Sequence, residues 1–526
     1  MQKTNRRAVY SAIVVAFGGL IFGLDAALIS GGIRSITTEF GLSDIQIGSV
    51  VSAPGWGVLP ALLFSGALCD KLGRKNTLLI IAALYVVSAV TSVLAPGYIT
   101  LFWARFIGGM AFTSLSVAAM YIGEISPPNL RGKLVTILQL SIVVGLSAAF
   151  FISYGIHALS QTDIDWVVSV GMEESKWRWM LGAEIIPAVL WLILLMTISK
   201  SPRWLMAKGL PEQARTALAK LVGLKNVGLK NLSPELISDY GLDNLKGSEI
   251  GLLASFQELF STRLRKALLV GIIVAITQPI TGMNAIMFYS PIVFEQLGGG
   301  TDTALAQTII VGILGVVATL LSLLFIDRIG RRPMFLGGLV AAAFFLLLSW
   351  YGFSQASYVL SADQIAAFGA NIDAAALEPM AGVIFDSDVA FKAELVKNLG
   401  FDAARANEGP ILQEAVTLNG MLIFISILGF IAAYQATIGP ILWILFSEIF
   451  PTRVRGIAIT LCAFLTSLFS VLVQQFFSWQ LANWGAGNVF LFYGGCVLVC
   501  LILNYLLLPE TKNKTIEEIE QSFASA

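Results

Sequence analysis

Twelve long apolar segments dominate this chain and restrict what it can fold into. They lie near residues 9–33, 45–68, 77–95, 99–123, 134–157 and 178–198, and again near 267–296, 304–326, 334–353, 414–447, 457–479 and 488–508. Each matches or exceeds, to within a residue, the roughly 20 residues that a helix needs to cross the ~30 Å hydrocarbon core of a bilayer. In that solvent an unpaired backbone N–H or C=O is costly, and a helix pairs all of its own. Composition agrees. Of 526 residues 56% are apolar and 13% charged, about half the ~25% usual in soluble domains, with mean hydropathy +0.80. Too few charges are present to clothe a soluble protein of this size, which excludes an ordinary cytosolic enzyme or nucleic-acid binder. The expected fold class is an all-α polytopic membrane protein with twelve transmembrane helices.

The distribution of charge says more than its total. Lys+Arg and Asp+Glu are both 33, with no bias toward DNA, RNA or an anionic partner. Of the 33 basic residues, 26 fall in the tails and alternate loops that share one side of the membrane if the N-terminus is cytoplasmic. By the positive-inside rule both termini are expected in the cytoplasm. The first apolar run follows Lys3, Arg6 and Arg7 as a signal peptide would, but no small-residue cleavage site closes it, so it reads as a retained span. Cys69, Cys462, Cys496 and Cys500 lie in or beside apolar runs, with no metal-ligand or disulfide spacing. No nucleophile–base set, metal cluster or phosphate loop is visible, and neither cofactor nor enzymatic activity is expected.

The chain repeats itself. Asp70-Lys-Leu-Gly73-Arg74-Lys75 recurs as Asp327-Arg-Ile-Gly330-Arg331-Arg332, each after the second span of a half. Glu124-Ile-Ser-Pro127-x3-Arg131-Gly132 recurs as Glu448-Ile-Phe-Pro451-x3-Arg455-Gly456, each after the fourth. Two pseudo-symmetric six-helix bundles are therefore expected, 1–198 and 266–508. A polar cytoplasmic linker, 199–265, joins them, with an amphipathic helix at 211–222; a tail follows at 509–526. The second pair of motifs is 67 residues further apart than the first. The excess matches a polar, acid-biased stretch near 354–412, read as a tolerated extracellular insertion between spans nine and ten. Transporters built on such repeats bind substrate between the halves near the midplane and rock around it. Asp70, Arg74, Glu124 and Arg131, with Asp327, Arg331, Glu448 and Arg455, are expected to form ion pairs that latch one conformation. Gly19 and Gly23 read as general helix packing.

These motifs, with others, resemble the sugar porter family of the major facilitator superfamily, and within it bacterial xylose/hexose–proton symporters. They include Phe22-Gly-Leu-Asp25-x3-Ile-Ser-Gly31, Arg105-Phe-Ile-Gly-Gly109, Tyr121-x2-Glu124, Ser201-Pro-Arg-Trp-Leu205, Gln278-x3-Gly282-x-Asn284-x3-Phe-Tyr289, Gly439-Pro-x2-Trp443 and Pro509-Glu-Thr-Lys512. The resemblance spans nearly the whole chain apart from the insert. It implies the major facilitator fold and a sugar site built from Gln139, Gln278, Asn284 and Trp443, with Phe22, Phe288 and Tyr289 lining the cavity. Amides both donate and accept, matching hydroxyls that do both, and an indole offers an apolar face and an N–H edge to a sugar ring.

The sequence departs from the family pattern at Pro279, Gly315, Thr466 and Ser467, where amides or a Trp are usual, so a roomier, less amide-rich cavity is expected. Asp25, inside the first span, and Arg105, in the fourth, are charges at membrane depth, which are rare and usually functional. The resemblance implies that Asp25 carries the coupled proton and Arg105 is its counter-ion. His157, the only histidine, reads as an interfacial residue. The expectation is a monosaccharide:proton symporter, acting as a monomer in a plasma membrane, most naturally a bacterial inner membrane. Its partners would be sugar, protons and lipid, with no nucleic acid. A facilitative sugar uniporter and a non-transporting sugar sensor are the alternatives.

Overall fold

The computed structural model describes residues 6–126, 128–222, 257–368, 372–451, 454–512 and 518, with the side chains of 128, 129, 131–133, 135, 327, 402 and 406 outside that description. Among the described residues eleven helical stretches are long and apolar enough to cross a bilayer: Arg6–Phe40, Asp44–Leu72, Arg74–Val93, Tyr98–Ile125, Thr136–Ser160, Lys176–Thr197, Arg265–Phe288, Gly300–Ile326, Arg331–Ser354, Gly420–Ile449 and Arg455–Leu507. The last, 53 residues, would measure about 80 Å, more than twice the hydrocarbon thickness. It breaks at Gly485, where φ is 79° and ψ 158°, and so makes two spans, giving the expected twelve. Any residue but glycine there would also run a Cβ into the Asp388 carboxylate. The tenth span begins at Gly420 rather than near 414, because Asn419 caps it by accepting from the Leu422 N–H at 3.1 Å.

Contacts gather the described residues into two units. One draws on Met1–Leu28, Ala53–Ala149 and Arg178–Leu252, the other on Ile29–Ser52, Phe150–Trp177 and Leu253–Ala526. In the first, glycines let backbones touch. A Cβ on Gly23 or Gly145 would overlap span five or span one, and a Cβ on Gly57 or Gly109 would overlap span four or span two. Around these crossings Tyr85, Tyr121 and Trp191 are fully buried, and the Trp191 indole donates to the Val14 carbonyl at 2.9 Å. In the second unit the seventh span is interrupted. The helix Arg265–Ile280 carries Pro279 near its end, Gly282 turns left-handed at φ 80°, and Met283–Phe288 resumes. Such breaks present side chains and unpaired backbone groups at membrane depth.

The amphipathic helix expected at 211–222 is present as Pro211–Val222, burying Ala214, Ala217, Leu218, Leu221 and Val222. It follows the short helix Pro202–Ala207, which Pro202 opens and Ser201 caps by accepting from the Trp204 N–H at 3.2 Å. The linker residues 223–256 lie outside the described residues.

The insert is more than a tolerated loop. Ser357–Tyr358 pairs antiparallel with Val416–Thr417, bringing its ends together. Between them the helices Ala362–Ala367, Asp388–Leu399 and Phe401–Ala415 enclose a small core that includes Tyr358, Leu377, Met380, Phe391, Leu395 and Ile411. Charge ties this body to spans of its own unit. Arg405 donates to the Leu42 carbonyl at 2.7 Å and pairs with Asp44, fastening the insert to the start of span two. Lys392, paired with Glu408 of the insert at 2.9 Å, also reaches Gln296 just past the seventh span at 3.2 Å; beside it Arg34 of span one meets Glu295 at 2.7 Å. Burial works to raise the Glu408 carboxyl, but Lys392, Arg34 and Arg405 together outweigh it and hold its pKa below the ordinary value. Burial likewise works to lower Lys392, and Glu408 and Asp388 reverse the effect, leaving its pKa raised.

The pH dependence of the insert follows. A depressed Glu408 pKa stabilises fully above the ordinary carboxyl value of ~4.3, and the contribution is lost as pH falls through the depressed one. A raised Lys392 pKa stabilises below ~10.4 and fails as pH climbs beyond it. Limited proteolysis of the insert should therefore be flat from about pH 5 to 9 and accelerate toward acid, with Glu408→Gln removing much of that acid step. Phe391→Ala should open the insert at all pH values, costing about 3–5 kcal/mol of local stability, while the spans keep their protection.

Candidate functional site

A charge that cannot reach water must be answered inside the protein, and the first unit contains such a case. Asp25 and Arg105 are each 2% exposed. The Arg105 Nη1 donates to Asp25 Oδ1 at 3.1 Å, and its Nη2 donates to the Asp25 backbone carbonyl at 3.2 Å. The guanidinium thus holds both the side chain and the backbone of span one. Gly108, one turn beyond Arg105, passes so close that a Cβ would stand 3.0 Å from Asp25 Oδ2. That second oxygen and Arg105 Nε are buried without a hydrogen-bond partner.

A third ionisable group belongs to this cluster and was not singled out in the sequence. Glu184, 4% exposed, stands where the sixth span is interrupted before Ile185–Thr197. It lies near enough for the charges of Asp25 and Arg105 to act on it, and its Oε1 has no hydrogen-bond partner. The signal was available: an acid inside the apolar run Gly182-Ala-Glu184-Ile-Ile is the same anomaly that marks Asp25.

The amides differ in how they are used. Gln139, half-buried on span five, has no hydrogen-bond partner among the described residues. Phe22 packs edge-on against Phe112 at 4.5 Å, where the fourth span is interrupted. In the second unit Gln278 donates to the Tyr434 hydroxyl through its amide nitrogen, while its buried carbonyl oxygen stays unpartnered. Asn284 lies on the other side of the Gly282 break and donates to Ser470 Oγ at 2.7 Å; Gln474 donates to the same hydroxyl at 2.8 Å. Tyr289 is wholly buried, its hydroxyl donating to the Gln474 carbonyl at 3.1 Å and its ring against Phe477. Phe288 is half-buried and Trp443 is 48% exposed. Thr466, where an amide is usual, spends its hydroxyl on the Ala275 carbonyl at 3.0 Å and so joins span eleven to span seven.

The repeated loops form the same arrangement twice. Arg74 binds Glu124 through Nε and Nη2, both at 2.8 Å, with Asp70 3.4 Å away. Arg331 binds Glu448 through Nη2 at 3.1 Å and Nε at 3.3 Å. Each glutamate also accepts from a hydroxyl just past the sixth span of its half: Ser201 for Glu124, and Thr511, at 2.5 Å, for Glu448. Glu510 adds a second clasp by accepting from the Arg331 and Arg332 backbone N–H groups, each at 3.1 Å. Arg455 instead donates from Nε to the Phe450 carbonyl at 3.2 Å. The side chains of Arg131 and Asp327 lie outside the described residues. At the far end of span five, His157 Nε2 lies 2.6 Å from Asp302 Oδ1.

These features agree with what the chain resembles. Residues 11–374 and 406–523 match the model of the family described as sugar (and other) transporter. The arabinose–proton symporter of Bacillus subtilis is 30% identical over 509 residues, covering 96% of this chain and 92% of that one. The D-xylose–proton symporter of Escherichia coli is 29% identical, covering 98% and 96%, and the galactose–proton symporter of the same organism 29%, covering 98% and 94%. Among solved structures, the E. coli xylose transporter in a partially occluded inward-open conformation aligns at a TM-score of 0.69 with 25% identity, over 97% of this chain and 99% of that one. The proton:xylose symporter bound to 6-bromo-6-deoxy-D-glucose aligns at 0.68 with 26% identity, over 99% and 100%. With the family model matched over most of its length and the twelve-helix major facilitator fold, the chain belongs to the sugar transporter family.

Proposed function

We propose that the protein takes up a monosaccharide, a hexose or pentose, together with a proton by alternating access. The observation that carries this reading is the buried Asp25–Arg105 pair with Glu184 beside it. Two buried carboxyl groups lie within electrostatic reach of one guanidinium in an interior where unpaired charge is expensive, so neutrality leaves room for one proton on the acids. When Asp25 takes the proton it releases Arg105, and Glu184 is the acid at hand to receive the cation. Span one is then free of the double hold that Arg105 exerts on it. The proton symporters of arabinose, xylose and galactose among the relatives support this reading.

In this reading the working halves are the six-helix bundles 1–198 and 266–508, joined by 199–265, and both termini face the cytoplasm of a bacterium as a monomer in its inner membrane. Gln139 offers an unused amide to the sugar, and Gln278 an unused carbonyl. The further sugar-binding residues of this reading are Phe22 in the first unit and Asn284, Trp443 and Phe288 in the second, while Tyr289 holds the span-eleven backbone at Gln474. The clusters of Asp70, Arg74, Glu124 and Arg131, and of Asp327, Arg331, Glu448 and Arg455, act as latches that break as the bundles rock.

Three experiments test this. In vesicles, wild type should concentrate sugar when a pH gradient is imposed, and Asp25→Asn should lose that accumulation while keeping sugar counterflow. Accumulation by Asp25→Asn equal to wild type ends the proton-carrier reading, and wild-type uptake indifferent to the gradient identifies a facilitator. Gln139→Ala and Gln278→Ala should each raise the half-saturating sugar concentration about tenfold, the equivalent of one lost hydrogen bond at ~1.4 kcal/mol. Arg74→Gln or Arg331→Gln should slow transport more than it lowers the amount of protein in the membrane; equal losses of both would leave the loops a topological role only.

A further inference from the structure

A basic cavity lies apart from the Asp25–Arg105 pair. In the first unit a cavity of about 860 Å³ opens between the start of span one, the start of span three, the end of span six and the helix Pro211–Val222. Four cations from these four elements line it: Arg7, Lys75, Lys200 and Lys220. Among the described residues Glu212 is the only acid in its wall, and it faces Arg215 at 3.8 Å. The wall is built rather than incidental. Lys75 Nζ donates to the Met196 and Ile198 carbonyls at 2.8 and 2.7 Å, closing the C-terminal end of the sixth span. Tyr10 meets the Thr197 hydroxyl at 2.9 Å, tying span one to the same end.

The other three cations are unspent: Arg7, Lys200 and Lys220 have neither an ion pair nor a hydrogen bond among the described residues. Lys200 and Lys220 also lie near enough to repel Lys75. The positive-inside rule accounts for basic residues in these loops but not for their convergence on one cavity from four separate elements. Like charges held together are unfavourable unless an anion answers them, and these stand at helix ends, the level of lipid headgroups. Basic pockets at this level, beside spanning helices, hold phosphate-bearing lipid headgroups.

We propose that this cavity is a binding site for a phosphate-bearing anion, with Arg7, Lys200 and Lys220 as its ligands and Lys75 holding its wall. The phosphate arrives on an anionic phospholipid or on a small soluble phosphate ester. Occupancy cancels the repulsion and fastens the helix Pro211–Val222 to spans one, three and six.

Thermal unfolding of the purified full chain tests this without any sugar assay, so its outcome is separate from that of the transport reading. Wild type should unfold several degrees higher in phosphatidylcholine nanodiscs containing phosphatidylglycerol than in phosphatidylcholine alone. Lys200→Gln/Lys220→Gln should lose more than half of that shift, whereas Lys71→Gln/Lys208→Gln, with the same charge removed outside the cavity, should keep it. Retention of phosphatidylglycerol in native mass spectrometry, reduced several-fold by Arg7→Gln, provides a reading that does not depend on the stability of the double variant. A shift with phosphatidylglycerol only makes the ligand a lipid. A saturable shift in detergent with glycerol 3-phosphate makes it a soluble ester. The site is overturned by no shift with either probe, or by equal losses in the two double variants.

Discussion

The structure depends on how charge is answered where water does not reach. Arg105 satisfies two oxygens of Asp25 at once, one on the side chain and one on the backbone, and so fixes span one against span four. Packing is subordinate to that contact: Gly108 is small where the Asp25 carboxylate and the Ser88 hydroxyl need space. The bond is nevertheless incomplete, since Asp25 Oδ2, Arg105 Nε and Glu184 Oε1 are all buried without partners. A fully satisfied network of this kind would rigidify the unit; a partly satisfied one in low dielectric is held only so long as its protonation suits it.

The two halves repeat a mechanical part as well as a sequence. In each, an arginine just after the second span grips a glutamate at the end of the fourth, and a hydroxyl after the sixth takes the glutamate's other oxygen. Both turns that place the arginine close against the segment that follows the last span of the half. Trp204 covers Gly73, and Glu510 covers Gly330. One glutamate therefore collects three segments of its half, so a change at any of them is felt by the others. In the second copy Arg455 binds the Phe450 carbonyl.

Much of this was legible in the chain itself. Hydropathy located the spans, the motif spacing located the insert, and the anomaly of a charge in an apolar run located Asp25 and Arg105. The same anomaly exists at Glu184, which lies outside the motifs that carry the family resemblance and is marked only by its place in an apolar run. Ser201 and Thr511 stood inside recognised motifs, yet their partners could not be read, since a hydroxyl has no charge to suggest one. The insert read as a loop because its apolar residues are spread over short helices whose common core is assembled only when Ser357–Tyr358 meets Val416–Thr417.

By itself the sequence determined that the chain crosses a bilayer twelve times, that it is a duplicated six-span unit, and which residues stand out chemically. Those are local properties, set by the run length of apolar side chains and by the recurrence of short patterns. The tertiary structure alone decided which charged groups converge. Asp25, Arg105 and Glu184 are about eighty residues apart in succession, and Arg7, Lys75, Lys200 and Lys220 are scattered over more than two hundred. Electrostatic interaction in a dry interior depends on distance through space, and spacing along the chain carries no trace of it.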